Sequence, residues 1–204
     1  SGASIQPRVV QMPVSLVDLA PTLLRLAKGA SASPGAADLL STTATERDVY
    51  AETQYPRIAG WHPVSVLAGE RWKLVRSSEV ELYDLSGDPS ELHNVASANA
   101  GVVQGMTKQL GELQSVTPAA PAAVAAEASE RLRALGYVSG SSAPAGGVDP
   151  RAPNPARVIG NWSAFEGALS TVNAGRPRDA LATLASLARQ FPDAPVFQTT
   201  YGRA

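Results

Sequence analysis

The apolar positions of this chain change their period along its length. Between residues 14 and 28 they recur at helical spacing, with Ser15 or Asp18 placed to cap and Pro21 tolerable in the first turn. The pattern predicts a helix over 18–27, ended by Gly29, that buries Leu23, Leu24 and Leu26 against a sheet. Residues 30–47 are rich in Ser, Ala, Thr and Gly and read as loop. Strand-like runs follow at 48–53, at 65–67, through a Gly69-Glu70 turn into 71–76, and at 81–85. They predict a small antiparallel sheet whose middle pair is a hairpin.

Asp88-Pro89 marks a turn, and Pro89 suits the start of a second helix, with apolar positions at Val102, Met106, Leu110 and Leu113. Residues 117–128 are dominated by Ala and Pro and read as linker, followed by a short amphipathic helix over 127–135 stopped by Gly136. Residues 139–155 return to Gly, Ser, Pro and Ala and read as a flexible spacer. From Asn161 the period is purely helical: Trp162, Phe165, Leu169 and Val172 share one face, Gly175 breaks the run, and Ala180, Leu181, Leu184, Leu187 and Ala188 resume it. Two antiparallel helices joined by a short turn are predicted.

Bulk composition narrows the function. The 204 residues are 44% hydrophobic and 17% charged, with 17 Lys and Arg against 18 Asp and Glu, so no basic field exists to hold a phosphate backbone and nucleic acid is not a partner. The absence of cysteine excludes disulfides and thiolate-ligated metals. His62 and His93 stand apart from each other and from any acidic pair at ligand spacing, so they read as surface or packing residues. No apolar run approaches the ~18 residues that would predict a transmembrane segment. The chain opens on Ser-Gly-Ala-Ser and stops within a helical pattern, which leads us to expect a fragment of a longer protein.

Two stretches carry a resemblance to known families. Asp18-Leu-Ala-Pro21-Thr22 followed by Leu23 and Leu24, and then Glu81-Leu-Tyr83-Asp84-Leu85 with Asp88-Pro89, Glu91 and Asn94, resemble in this order the C-terminal part of sulfatases of the alkaline-phosphatase superfamily. Between them Val49-Tyr50-Ala51-Glu52-Thr53, Tyr55-Pro56, Gly60-Trp61 and Arg71-Trp72-Lys73-Leu74 resemble the strands of that family's small subdomain. Gly175, Ala180, Leu184 and Pro192 fall at the spacings of the tetratricopeptide (TPR) repeat, whose period is about 34 residues, and a second repeat begins at Pro195 with Tyr201 and Gly202. Thr171 and Leu187 depart from that pattern. The 132–138 segment, Leu-Arg-Ala-Leu-Gly-Tyr-Val, resembles the junction in bacterial proteins that join the two.

The resemblance implies an α+β sulfatase-like C-terminal subdomain over 1–115, a linker over 116–157 and an all-α TPR-like helical hairpin over 158–204. It implies a sulfate-ester substrate, a phosphate or phosphonate ester on the same scaffold being the close rival, and a protein or peptide partner for the helices. A third reading is a non-catalytic TPR binding module on a degenerate platform. The family's cofactors are a divalent cation, usually calcium, and a formylglycine nucleophile made from a Cys/Ser-x-Pro-x-Arg motif. That motif and the family's metal pairs are not among these residues, so no catalytic and no metal-binding residue is assigned, the isolated chain is expected to be inactive, and the catalytic half is expected before Ser1. An extracytoplasmic, periplasmic parent is a family-level expectation.

Two groups remain as candidate chemistry. Asp84, Asp88, Glu91 and Asn94 have the composition of a calcium site, yet a turn at Asp88-Pro89, Glu91 in a helix's first turn and Asn94 closing the turn account for them structurally. The loop around Tyr55, Arg57, Trp61 and His62 offers a guanidinium fork for an anion, two stacking faces for a sugar or aryl ring, and a titratable imidazole. These four are the candidate substrate-binding residues. The alternative is that Tyr55 and Trp61 bury their rings as scaffold.

Overall fold

A computed structural model describes residues 9, 12–27, 38–40, 47–115 and 147–204. The linker helix expected over 127–135 and most of the loop expected over 30–47 lie outside the described residues. Two compact units are present. The first takes the described residues up to Ala51 with Val66–Val75 and Val80–Ser115; the second takes Glu52–Ser65, Arg76–Glu79 and those from Gly147 onward.

The chain enters the first unit through a 3-10 turn, Leu16–Asp18, whose first free N–H, that of Val17, is accepted by the Ser15 hydroxyl at 3.4 Å. Helix α1 (Leu19–Leu26) continues it, with Pro21 in the first turn where its missing N–H costs nothing. Asp18 holds the N-cap position of α1 without a side-chain capping bond. Its carboxylate is buried and pairs with the Arg47 guanidinium, while Thr22 Oγ1 donates to its carbonyl at 2.7 Å. Pro21 and Thr22 are therefore the buried residues of α1, and Leu23, Leu24 and Leu26, expected against a sheet, stand 55%, 45% and 51% exposed. The inward face of this helix is selected by a polar contact, which apolar periodicity does not register.

Strands β1 (Val49–Thr53), β2 (Val64–Ala68), β3 (Trp72–Arg76) and β4 (Val80–Asp84) form one antiparallel sheet in the order β1-β2-β3-β4. The β2–β3 hairpin is closed by Gly69 N–H donating to Trp72 carbonyl at 2.9 Å. A Cβ at Gly69 would meet the end of the Asp48 side chain, so a larger residue here requires that carboxylate to move aside. Leu67, Leu74 and Leu82 lie on one face of the sheet and are fully buried. They pack with Met106 and Leu110, one helical turn apart on α2 (Ala100–Gln114), and with the partly buried Tyr50 and Trp72.

The helix expected from Pro89 does not begin there. Asp88 to Asn99 is spent on the sheet's edge, because β4 has backbone groups that would otherwise go unpaired. Asn94 Oδ1 accepts from Leu82 N–H at 3.1 Å, its Nδ2 donates to Val80 carbonyl at 3.3 Å, and Val95 N–H donates to Leu82 carbonyl at 2.8 Å. Only after a 3-10 turn at Ala96–Ala98 does α2 start.

In the second unit, α3 (Pro155–Asn173) starts on the pair Asn154-Pro155, which composition alone assigns to the spacer. Asn154 Oδ1 accepts from Ala156 N–H at 3.0 Å and Pro155 takes the first helical position. Gly175, with φ of 76°, ends α3 in the left-handed conformation that glycine adopts without a Cβ penalty, and α4 (Pro177–Gln190) follows. After Pro192 comes α5 (Pro195–Arg203). Phe165, Ala168, Ala180, Leu184, Leu187, Ala194 and Phe197 form its apolar core. No helix of the described residues is long and apolar enough to cross a membrane.

Truncation of Leu82, which is fully buried between the sheet and α2, should cost about 2–5 kcal/mol of stability through lost transfer energy and a cavity. Chemical denaturation of Leu82→Ala against the wild type measures it; a loss under about 1 kcal/mol would mean that this face is not the core of the first unit.

Candidate functional site

The loop singled out by sequence lies between β1 and β2. Tyr55–Ala59 form a 3-10 turn closed by Gly60, whose φ of 72° is left-handed. Gly60 N–H donates to Arg57 carbonyl at 3.0 Å and Trp61 N–H to Pro56 carbonyl at 3.1 Å, so the chain doubles back and delivers Trp61 inward.

The four candidate residues receive four different environments. Trp61 is 4% exposed and sits edge-on or tilted to Trp162, Phe191 and Phe197 with ring centroids 6.2, 5.8 and 6.4 Å away. Its Nε1 is buried and has no hydrogen-bond partner among the described residues. Tyr55 is 60% exposed and meets Trp162 edge-on at 5.5 Å. It lines a shallow apolar groove of about 200 Å³ with Pro56, Pro155, Ile159 and Trp162. Arg57 lines a different cavity, of about 350 Å³, with Asp149, Arg151, Gln190 and Asp193. His62 lines neither; its backbone N–H donates to Pro153 carbonyl at 3.0 Å and its Nδ1 lies 2.9 Å from Pro63 carbonyl. Trp61 alone touches both cavities. The residues that share the Arg57 cavity come from about ninety residues or more further along the chain, where only a turn-forming Asp149-Pro150 marks them in the sequence.

The acidic motif after β4 is fully engaged within the protein. Arg71 grips Asp84 through Nη2 at 2.8 Å and Nε at 3.2 Å, and the same guanidinium stacks 4.7 Å from the Trp72 ring. Arg71 and the N–H groups of Ser86 and Gly87 hold the Asp84 carboxyl below its ordinary range. Backbone N–H groups of Leu92 and His93 do the same for Asp88. Glu91 is not in a helix; it sits at φ 56° and takes Lys73 Nζ at 2.6 and 2.8 Å. Tyr83 donates to the Glu81 carboxylate, which with burial pushes the phenol up to about 12. Asp84, Glu91 and Asn94 thus turn their oxygens to Arg71, Lys73 and the β4 backbone. Among the described residues no three His, Cys, Asp or Glu side chains are grouped to hold a metal, and this motif does not fit a calcium ion.

No family model matches the chain, and no curated protein matches it. Among solved structures it is similar to a 2-O GAG sulfatase, at 25% identity and a TM-score of 0.39 over 48% of this chain and 24% of that one. It is similar also to a phosphonate monoester hydrolase of Agrobacterium radiobacter, at 27% identity and a TM-score of 0.35, over 48% of this chain and 24% of that one. The chain spans about a quarter of the length of these structures.

Trp61→Ala should cost about 3–5 kcal/mol, since it empties an aromatic core, whereas Tyr55→Ala should stay within about 1 kcal/mol. Equal effects in thermal melts would contradict the division of labour between these two rings. Because Asp84 titrates lower when folded than the ordinary ~3.9, its contribution to stability is present above that pH and is lost as pH falls through the folded value. Asp84→Asn should therefore flatten the stability profile on the acid side of about pH 4; a profile superimposable on the wild type would remove Asp84 from the acid response.

Proposed function

We propose that this chain is the C-terminal subdomain of a sulfuric ester hydrolase of the alkaline-phosphatase superfamily, joined to a TPR-type helical region that serves as a protein-interaction module. The observation that carries the reading is the behaviour of the Glu81–Asn94 motif. Asn94 finishes the edge of β4 with its amide, while Asp84 and Glu91 pair with Arg71 and Lys73 at the neighbouring strand, as befits a subdomain signature. The order of the two motifs along the chain, with three strands between them and β4 inside the second, supports the same reading.

The reaction would require a formylglycine nucleophile and a calcium ion, supplied by residues outside these 204. The chain's own contribution is a wall of scaffold on which Arg57 and Tyr55, each lining its own cavity, are the candidate contacts for an anionic, ring-bearing substrate. The closest rival is hydrolysis of a phosphate or phosphonate ester, because a C-terminal signature does not report the nucleophile. For the helical region, the support is the sequence spacing together with an α3–α4 hairpin turned by Gly175 and followed by Pro195-led α5.

The isolated chain, with calcium added, should give no turnover of a chromogenic aryl sulfate, phosphate or phosphonate, since it has neither nucleophile nor metal ligands to lower the barrier. Turnover above a buffer blank would overturn this assignment of roles. The longer protein should hydrolyse the aryl sulfate fastest; a preference for the phosphonate would move the reading to the rival.

A further inference from the structure

A single 3-10 turn has too few internal hydrogen bonds to hold its own shape in water, so the conformation of residues 55–61 must be imposed by what they touch. What they touch is the helical layer. Ala59 and Trp61 are buried in the same apolar cluster as Phe165, Leu184, Ala194 and Phe197. The rings of Trp162 from α3, Phe191 after α4 and Phe197 from α5 surround the Trp61 indole. Gly60, held left-handed, runs past Ala194. His62 N–H is bonded to Pro153 carbonyl in the lead-in to α3, and the apolar groove is built from Tyr55, Pro56 and Ala59 on one side and Pro155, Ile159 and Trp162 on the other.

We propose that the Tyr55–Trp61 connection is the end cap of the helical layer, and that α3, α4 and α5, through Trp61, fix the conformation in which Tyr55 and Arg57 are presented. The cap closes the side of the helical core that three helices leave open, which is the role that a terminal capping element plays in a helical repeat. In exchange, the helices hold a loop that lies between two strands. Any event that reshapes α5 then reaches Tyr55 and Arg57 through one indole ring, without a change in the sheet. The lever is short: Tyr55 and Arg57 lie six and four residues before Trp61, inside the same turn.

Amide hydrogen exchange on the full 204-residue chain tests the link. Trp61 N–H and His62 N–H report the cap; Leu82 N–H, bonded to Asn94, and Val95 N–H report the sheet. In Phe197→Ala the two cap amides should exchange at least about tenfold faster, in step with the amides of α5, while Leu82 and Val95 keep their wild-type protection. Phe197→Leu, which keeps an apolar side chain, provides the same comparison where the alanine variant does not fold, with a smaller shift in the same direction. Wild-type protection of Trp61 and His62 in either folded variant overturns the proposal. Equal loss at the cap and at Leu82 and Val95 overturns it too, since the helices would then act on the whole chain and not on the cap.

Discussion

An indole that is to be kept dry needs apolar partners, and among the described residues Trp61 finds them in the rings of Trp162, Phe191 and Phe197 in the helical part of the second unit. The ring meets Trp162, Phe191 and Phe197, three residues that are remote in sequence and brought together by two turns, at Gly175 and at Pro192. The helices gain equally. Their own inward residues are mostly small or aliphatic, and a layer of α3 to α5 exposes one flank unless something bulky closes it. The cost shows in the indole N–H, which finds no acceptor among the described residues.

The sheet follows a separate constraint. A four-stranded meander with β4 at its end must deal with an open edge, and the chain does so with a length of irregular backbone, residues 88–95, anchored by side chains. Asn94 does the work of a strand residue with its amide, and the left-handed backbone at Glu91 is held by its ion pair with Lys73. The carboxylates of Asp84, Glu91 and Asp88 are thus engaged by Arg71, by Lys73 and by the His93 backbone N–H. Their crowding in the sequence resembles a cation site only until each is assigned its partner.

These two cases also show what sequence could and could not reveal. Strand positions and the existence of α2 were legible, because short runs rich in β-branched and aromatic residues flank the Gly69-Glu70 turn and Met106 and Leu110 lie one turn apart, both local signals. The start of α2 was not, since Pro89 is a fair opening residue and only the demand of the β4 edge, a non-local one, delays the helix to Ala100. Along α1 the leucine stripe pointed to the wrong face: the decisive contact is Asp18 with Arg47, twenty-nine residues away. Around Trp61 the sequence offered recognition or packing without a way to choose, because its partners lie about a hundred residues downstream. The ring is buried among those partners and also borders both cavities, one lined by Tyr55 and the other by Arg57.

The chain has three tryptophans, and their placement has a practical consequence for anyone who studies it in solution. Trp61 and Trp162 sit together in the helical core, whereas Trp72 packs with the other cluster, its ring beneath the Arg71 guanidinium. A dry indole with no acceptor for its N–H emits at shorter wavelength than one beside a cation and water. Trp162 donates its indole N–H to Glu166 at 2.9 Å, so the short-wavelength edge of the intrinsic fluorescence belongs to Trp61, and its fading during unfolding would record the moment at which the helical core opens.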